Sequence, residues 1–142
     1  MTRIDFYHDA ADRLQVACRL AAKAAQQKLR VLIYAPDAEV ARNVDRMLWT
    51  SPPTGFLPHC MVHDRLAADT PVLIAVDADT TPHDEILVNL GDDRPAHFAR
   101  FQRLVEIVGR DESGRAAARD RFRFYRERGY EIYTHDLSHG DR

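Results

Sequence analysis

The chain has 142 residues, 45% of them apolar and 30% charged, with a formal net charge of −2. That size and balance suit one globular domain with one core, and exclude a disordered or fibrous chain and a molecule that is polyanion-seeking as a whole. Two isolated cysteines, Cys18 and Cys60, are too few for a disulfide framework, and neither an apolar leader nor a membrane-length apolar run is present, which predicts a cytoplasmic protein with reduced thiols.

In chain order, Arg3 to Tyr7 alternates as a short strand does. A long helix is expected from Ala10 to Lys28, with Asp9 as its N-cap and Leu14, Ala17, Cys18, Ala21, Ala24 and Ala25 as an apolar stripe. Arg30 to Ala35 is a continuous apolar, β-branched run that suits a strand covered on both faces. A second helix follows over Ala38 to Trp49, capped by Asp37 and broken by Ser51-Pro52-Pro53-Thr54-Gly55. Residues 60–71 read as a loop. Strands are expected over Val72–Val76, Glu85–Leu90 and Leu104–Val108, with a turn at Gly91-Asp92-Asp93 and a short helix around Ala96–Phe101. The last helix runs from about Ser113 to Arg128, with Gly129 in the capping position. Tyr130 to Tyr133 makes a final strand, and the tail from Asp136 is expected to fray. Alternating strands and helices predict an α/β single domain, a central, mostly parallel or mixed twisted sheet with helices on both faces.

Such a fold invites a nucleotide, but the first strand is followed by His8-Asp9-Ala10-Ala11-Asp12, which has no glycine and two acids that would repel phosphate. His59, Cys60 and His63 are near enough in sequence to suggest zinc, yet a second ligand pair at suitable spacing is missing. Asp77, Asp79, His83 and Asp84 follow a buried strand and could hold Mg²⁺ in a small α/β enzyme or phosphoacceptor; a solvated turn is the plainer reading.

The last helix carries Arg115, Arg119, Arg121, Arg123, Arg126 and Arg128 against Asp120 and Glu127, a local charge of +4 in a chain of net −2. Arg119, Phe122, Arg123 and Arg126 fall on one helical face, while Ala117, Phe124 and Tyr125 can face the sheet. Two readings stay open here. One is a solvated basic face with Phe122 packed at its edge. The other is a socket for an acidic peptide with an apolar end, since guanidinium groups fork onto carboxylates. The only tryptophan, Trp49, precedes Phe56-Leu57-Pro58-His59 across the proline pair; these residues either complete the core or anchor a partner.

Ile4-Asp5-Phe6-Tyr7, Lys28-Leu29-Arg30-Val31-Leu32-Ile33, Leu48-Trp49 with Pro52 and Phe56-Leu57-Pro58-His59, Ile86 to Leu90, Arg119 to Arg123, and Tyr125-Arg126 ahead of Gly129-Tyr130 come in an order that resembles the chi subunit family of bacterial DNA polymerase III. The resemblance implies a Rossmann-like fold without a nucleotide site, no active site and no cofactor. It implies a replication subunit, monomeric when free, that links the clamp loader to single-stranded DNA-binding protein and meets nucleic acid only indirectly. By the same resemblance, Arg119, Phe122, Arg123 and Arg126 would grip the acidic, Phe-ending tail of that binding protein. Trp49, Phe56, Leu57 and Pro58 would dock the psi subunit or an equivalent clamp-loader or helicase partner. The family often has Tyr and Lys where Phe122 and Arg123 stand; Phe lacks the hydroxyl, while Arg keeps the charge and adds a fork.

Overall fold

Four-residue runs that are apolar throughout can only be strands if both sheet faces are covered, and Val31–Tyr34 and Val72–Ala75 are buried in that way. The computed structural model describes residues 1–50, 57–79 and 82–139. Chain order is β1 (Arg3–His8), α1 (Arg13–Gln26), β2 (Val31–Tyr34), α2 (Ala38–Thr50), β3 (His59–Met61), β4 (Val72–Ala75), β5 (Ile86–Asn89), β6 (Arg103–Ile107), α3 (Glu112–Glu127) and β7 (Ile132–Asp136). The seven strands form one sheet in the order β3-β4-β2-β5-β6-β1-β7, and every pairing is parallel.

Alternate side chains leave opposite faces of the strands. Val31, Ile33, Val72, Ile74, Val88, Val105 and Ile107 meet α1 and α2. Ile4, Phe6, Leu32, Leu73, Leu87 and Leu104 meet α3 and the Phe98–Phe101 segment. The α/β architecture with helices on both faces is therefore as expected, and the sheet is wholly parallel.

Several boundaries differ from the sequence expectation, each for a local reason. The N-cap of α1 is Asp12, whose carboxylate accepts from the N–H groups of Leu14 and Gln15, not Asp9. The Ala10 N–H is held by the Val108 carbonyl, so the chain is still tied to the sheet there and coils only later. Asp9 takes up the turn with φ 61°. The expected loop 60–71 begins inside β3, an edge strand too short to show a period, and contains a 3₁₀ turn at Ala67–Asp69. The expected helix around Ala96–Phe101 is a single 3₁₀ turn, Phe98–Arg100. The last strand begins at Ile132, because Tyr130 turns onto the Phe98 ring, and reaches Asp136, because β1 continues to His8 and pairs with it throughout. Leu137 is consequently buried, its N–H donating to the His8 carbonyl.

The largest electrostatic feature of the interior is on β6. Glu106 is fully buried and accepts from Asn89 Nδ2 at 2.9 Å and the Tyr125 hydroxyl at 2.8 Å. Arg121 Nε stands 3.2 Å from the same carboxylate, and Arg121 Nη1 donates to the Asp92 carbonyl. Burial pushes the Glu106 carboxyl up against the opposing pull of Arg121 and its two hydrogen-bond donors. Arg121 is thus an internal counter-ion and does not belong to the basic surface in which the sequence counted it.

Breaking such a pair leaves an uncompensated buried charge, so Arg121→Met should cost about 3–5 kcal/mol in urea denaturation, and Glu106→Gln combined with it should recover most of that loss. Acid should also destabilise the fold. His83 and His97 set their edges against Phe101 at 5.7 and 5.6 Å, and burial, with Arg30 near His83 and Arg100 near His97, pushes both imidazoles below the ordinary histidine range. The unfolded chain therefore takes up more protons as pH falls through about 6.5, and stability declines with it. Denaturation midpoints on either side of that pH should show the decline, and His97→Phe should flatten it.

Candidate functional site

α3 is an amphipathic element with its register set from inside. Ala118, Arg121 and Tyr125 turn inward, which places Arg115, Arg119, Phe122 and Arg126 on the flank toward β1 and β7. Phe122 is half-buried and meets Phe6 of β1 edge-on, with ring centroids 5.3 Å apart. Together with Val108 and Ala118 these rings line a groove of about 290 Å³, beside Arg115 and Arg119 of α3 and beside His8, Asp9 and Thr134. The groove has an apolar floor, a guanidinium wall and a polar far rim, where His8 pairs with Asp9.

The four residues singled out on this helix are placed differently. Arg119 lines the groove, and its Nη2 is 2.8 Å from Glu112 Oε1 in an exposed pair. Phe122 forms part of the floor. The Arg126 guanidinium lies 5.9 Å from the centre of the Phe122 ring. Arg123 is not among the groove-lining residues and pairs at 3.5 Å with Asp120, one turn back. Sequence reasoning missed Arg115 and His8 as lining residues. The spacing from Arg115 through Arg119 and Phe122 to Arg126 marks the first, whereas His8 comes from a strand end with no local signal.

The second candidate patch sits at the other end of the sheet. Trp49, at the end of α2, is 59% exposed, and its ring meets His59 of β3 edge-on at 4.9 Å. His59 is buried, its Nδ1 bonded at 2.7 Å to the Leu57 carbonyl and its Nε2 3.3 Å from Asp45. Leu57 is half-buried against the core and Pro58 is exposed. Phe56, the remaining member of this set, lies outside the described residues. Met61 and Val76 are each 38% exposed beside an open groove along α2.

The metal and nucleotide readings fail on geometry. His59 turns toward α2 and Cys60, its neighbour on the strand, toward the opposite core, while His63 stands 3.8 Å from Asp77. Asp77 follows the C-terminal end of β4, and Asp84 precedes the N-terminal end of β5; in a parallel sheet these ends are about a strand length apart, roughly 13 Å. Among the described residues, three ligand-type side chains approach one another only at His8, Asp9 and Asp136, an open cluster with no further feature that points to an ion. α1 and α3 leave β1 and β6 toward opposite faces, the place where such folds hold phosphates. Both helix N-termini there are already taken by carboxylates, Asp12 on Leu14 and Gln15, and Asp111 on Gly114.

Because Trp49 is the only tryptophan and is exposed, its emission should be red-shifted and readily quenched by acrylamide, and a partner covering it should shift the emission to the blue; shielded emission from the free chain would place the ring elsewhere.

A family model described as "DNA polymerase III chi subunit, HolC" matches residues 1–133. A protein of Pseudomonas aeruginosa named DNA polymerase III subunit chi is 38% identical over 141 residues, 96% of this chain and 98% of the relative. Proteins of the same name from Haemophilus influenzae and Escherichia coli are 26% and 29% identical, covering 87% and 84% of this chain and 86% and 82% of their own lengths.

Proposed function

The chain belongs to the DNA polymerase III chi subunit family, a component of the machinery of DNA replication, and we propose that it works there as a non-catalytic tether in the cytoplasm. In this reading it joins the clamp loader, through psi or an equivalent partner, to the C-terminal tail of single-stranded DNA-binding protein. The observation that carries the reading is the groove between α3 and the ends of β1 and β7, where an apolar floor containing Phe6 and Phe122 lies beside Arg115 and Arg119.

An acidic tail that ends in phenylalanine matches that combination. Its terminal ring would meet the floor, and its carboxylates would meet guanidinium groups that are mostly exposed and able to fork. Arg126, over the Phe122 ring, and Arg123, one turn from Arg119, extend the positive field along the helix. The ligand's carboxylates would take Arg119 from Glu112 and Arg123 from Asp120, so one tail should bind modestly. Several tails on one coated strand raise the effective concentration of the tethered assembly without any new contact. On the other side of the molecule, Trp49, Leu57 and Pro58, with Phe56, would form the patch for the clamp-loader partner. Trp49 supports this, since a large exposed ring at a helix end gains most by being covered. Among the described residues no helix is long and apolar enough to cross a membrane.

Calorimetric titration with a short acidic peptide ending in Asp-Phe-Pro-Phe checks the groove. One-to-one binding should weaken as salt rises. Arg119→Ala should cost about 1–2 kcal/mol, roughly five- to thirtyfold in affinity. Wild-type affinity in Arg119→Ala would remove the site from α3.

A further inference from the structure

The sheet face opposite the groove holds a second surface, and it involves neither the tail nor the Trp49 patch. On this face α1 packs over β2 and β6, and α2 over β3 and β4. Neither helix covers the β1–β7 edge, where the side chains form two layers. The lower layer is Asp5, which is fully buried and bonded to Arg3, Arg103 and His135. Burial alone would raise this carboxyl, but the bonds from His135, Arg3 and Arg103 outweigh it and hold Asp5 below the ordinary carboxylate range. The acid is therefore hidden and its partners stand outward.

The upper layer is rings and cations. Tyr7 and His135, cross-strand neighbours, stack with centroids 4.2 Å apart at 14°. Tyr133 is 40% exposed, with the Arg3 guanidinium 4.2 Å from its ring centre. Arg103 reaches the Tyr7 hydroxyl at 3.2 Å. The adjoining flank of α1 is basic. From Arg13 to Lys28 the chain has four cations, Arg13, Arg19, Lys23 and Lys28, and no acid, in a protein of net −2. Lys23 and Gln27 line a cavity of about 190 Å³ with Tyr7 and Arg103, so this flank borders the ring layer, and Arg19 lies one turn before Lys23 on it. Glu131, bonded to the Tyr133 hydroxyl, is the other acid beside the rings.

An exposed ring and two half-buried ones beside guanidinium and ammonium groups suit one ligand chemistry. Unpaired bases stack on rings whatever their sequence, while phosphates meet the cations; a duplex hides the faces of its bases and cannot use the rings. Tyr133 and His135 are two residues apart on β7, about 7 Å, room for two bases side by side. We propose that the uncovered face of β1 and β7, with Arg19 and Lys23 of α1, is a weak, sequence-tolerant binding surface for single-stranded nucleic acid. It is carried by residues that the tail groove does not use, so the two ligands can be held together.

Fluorescence anisotropy of labelled oligo-dT with the intact chain alone, at low salt, tests this. The single strand should bind and a duplex of equal length should bind much more weakly, with both falling as salt rises. Lys23→Glu and Tyr133→Ala should each weaken single-strand binding about fivefold or more, and Arg119→Ala should leave it unchanged. The proposal is overturned by absence of binding at low salt, by equal affinity for duplex, by competition from the acidic peptide, or by loss in Arg119→Ala with Lys23→Glu unaffected. Lys23 is exposed on α1, so if Tyr133→Ala disturbs the edge strand, Lys23→Glu decides alone.

Discussion

The buried carboxylate of Glu106 is the fixed point of this molecule. A charge with no exposure to water is tolerated only when its oxygens are fully occupied, and here three residues on two elements supply the partners: Asn89 of β5, and Tyr125 and Arg121 of α3. Those partners determine how α3 is rotated about its own axis. Tyr125 and Arg121 are one turn apart, and once both point inward the flank bearing Arg115, Arg119 and Phe122 has nowhere to go but over the ends of β1 and β7. A hydrophobic interface alone would tolerate a helix that slides or rolls. A hydrogen-bonded ion pair does not, because a shift of one residue exchanges Arg121 for Asp120 or Phe122.

The sheet order makes the same region useful. β1 sits between β6 and β7, so Phe6 on its α3 side becomes a groove floor and Asp5 on its other side becomes the buried support of an aromatic and cationic surface. One strand thus backs two surfaces of different chemistry, rings and guanidinium groups on one side and an apolar groove on the other, without either competing for the same side chains.

The central strands β2 and β4 were legible because each is a run of apolar residues, and the helix flank was legible because Arg119 and Phe122 keep helical spacing. What stayed hidden was set by partners distant in sequence. Arg121 looks like its neighbours until Glu106, fifteen positions earlier, is placed beneath it. The capping role passes from Asp9 to Asp12 because Val108, across the sheet, holds Ala10. β3 is three residues long and owes its existence to β4 alone. β7 takes its register from β1, which lies at the far end of the chain. The acids near Asp77 look clustered in sequence and are divided by the return path that a parallel connection requires. Within the groove, the helix side could be read from spacing, but the side contributed by His8 and Thr134 could not.

The parallel order has a consequence for how the chain is made. Among the described residues no strand pairs with its neighbour through a hairpin, and β1, the earliest of the seven in chain order, pairs with β6 and β7, its Arg3 opposite Arg103 and its Ile4 opposite Ile132. During translation Ile4 and Phe6 must therefore remain without their sheet neighbours until some hundred further residues have been added, while β2 can already find β4 and β5. The N-terminal strand can take its place only once the two C-terminal strands on either side of it exist, and its insertion brings the Phe6 groove and the Tyr7–His135 edge together at once.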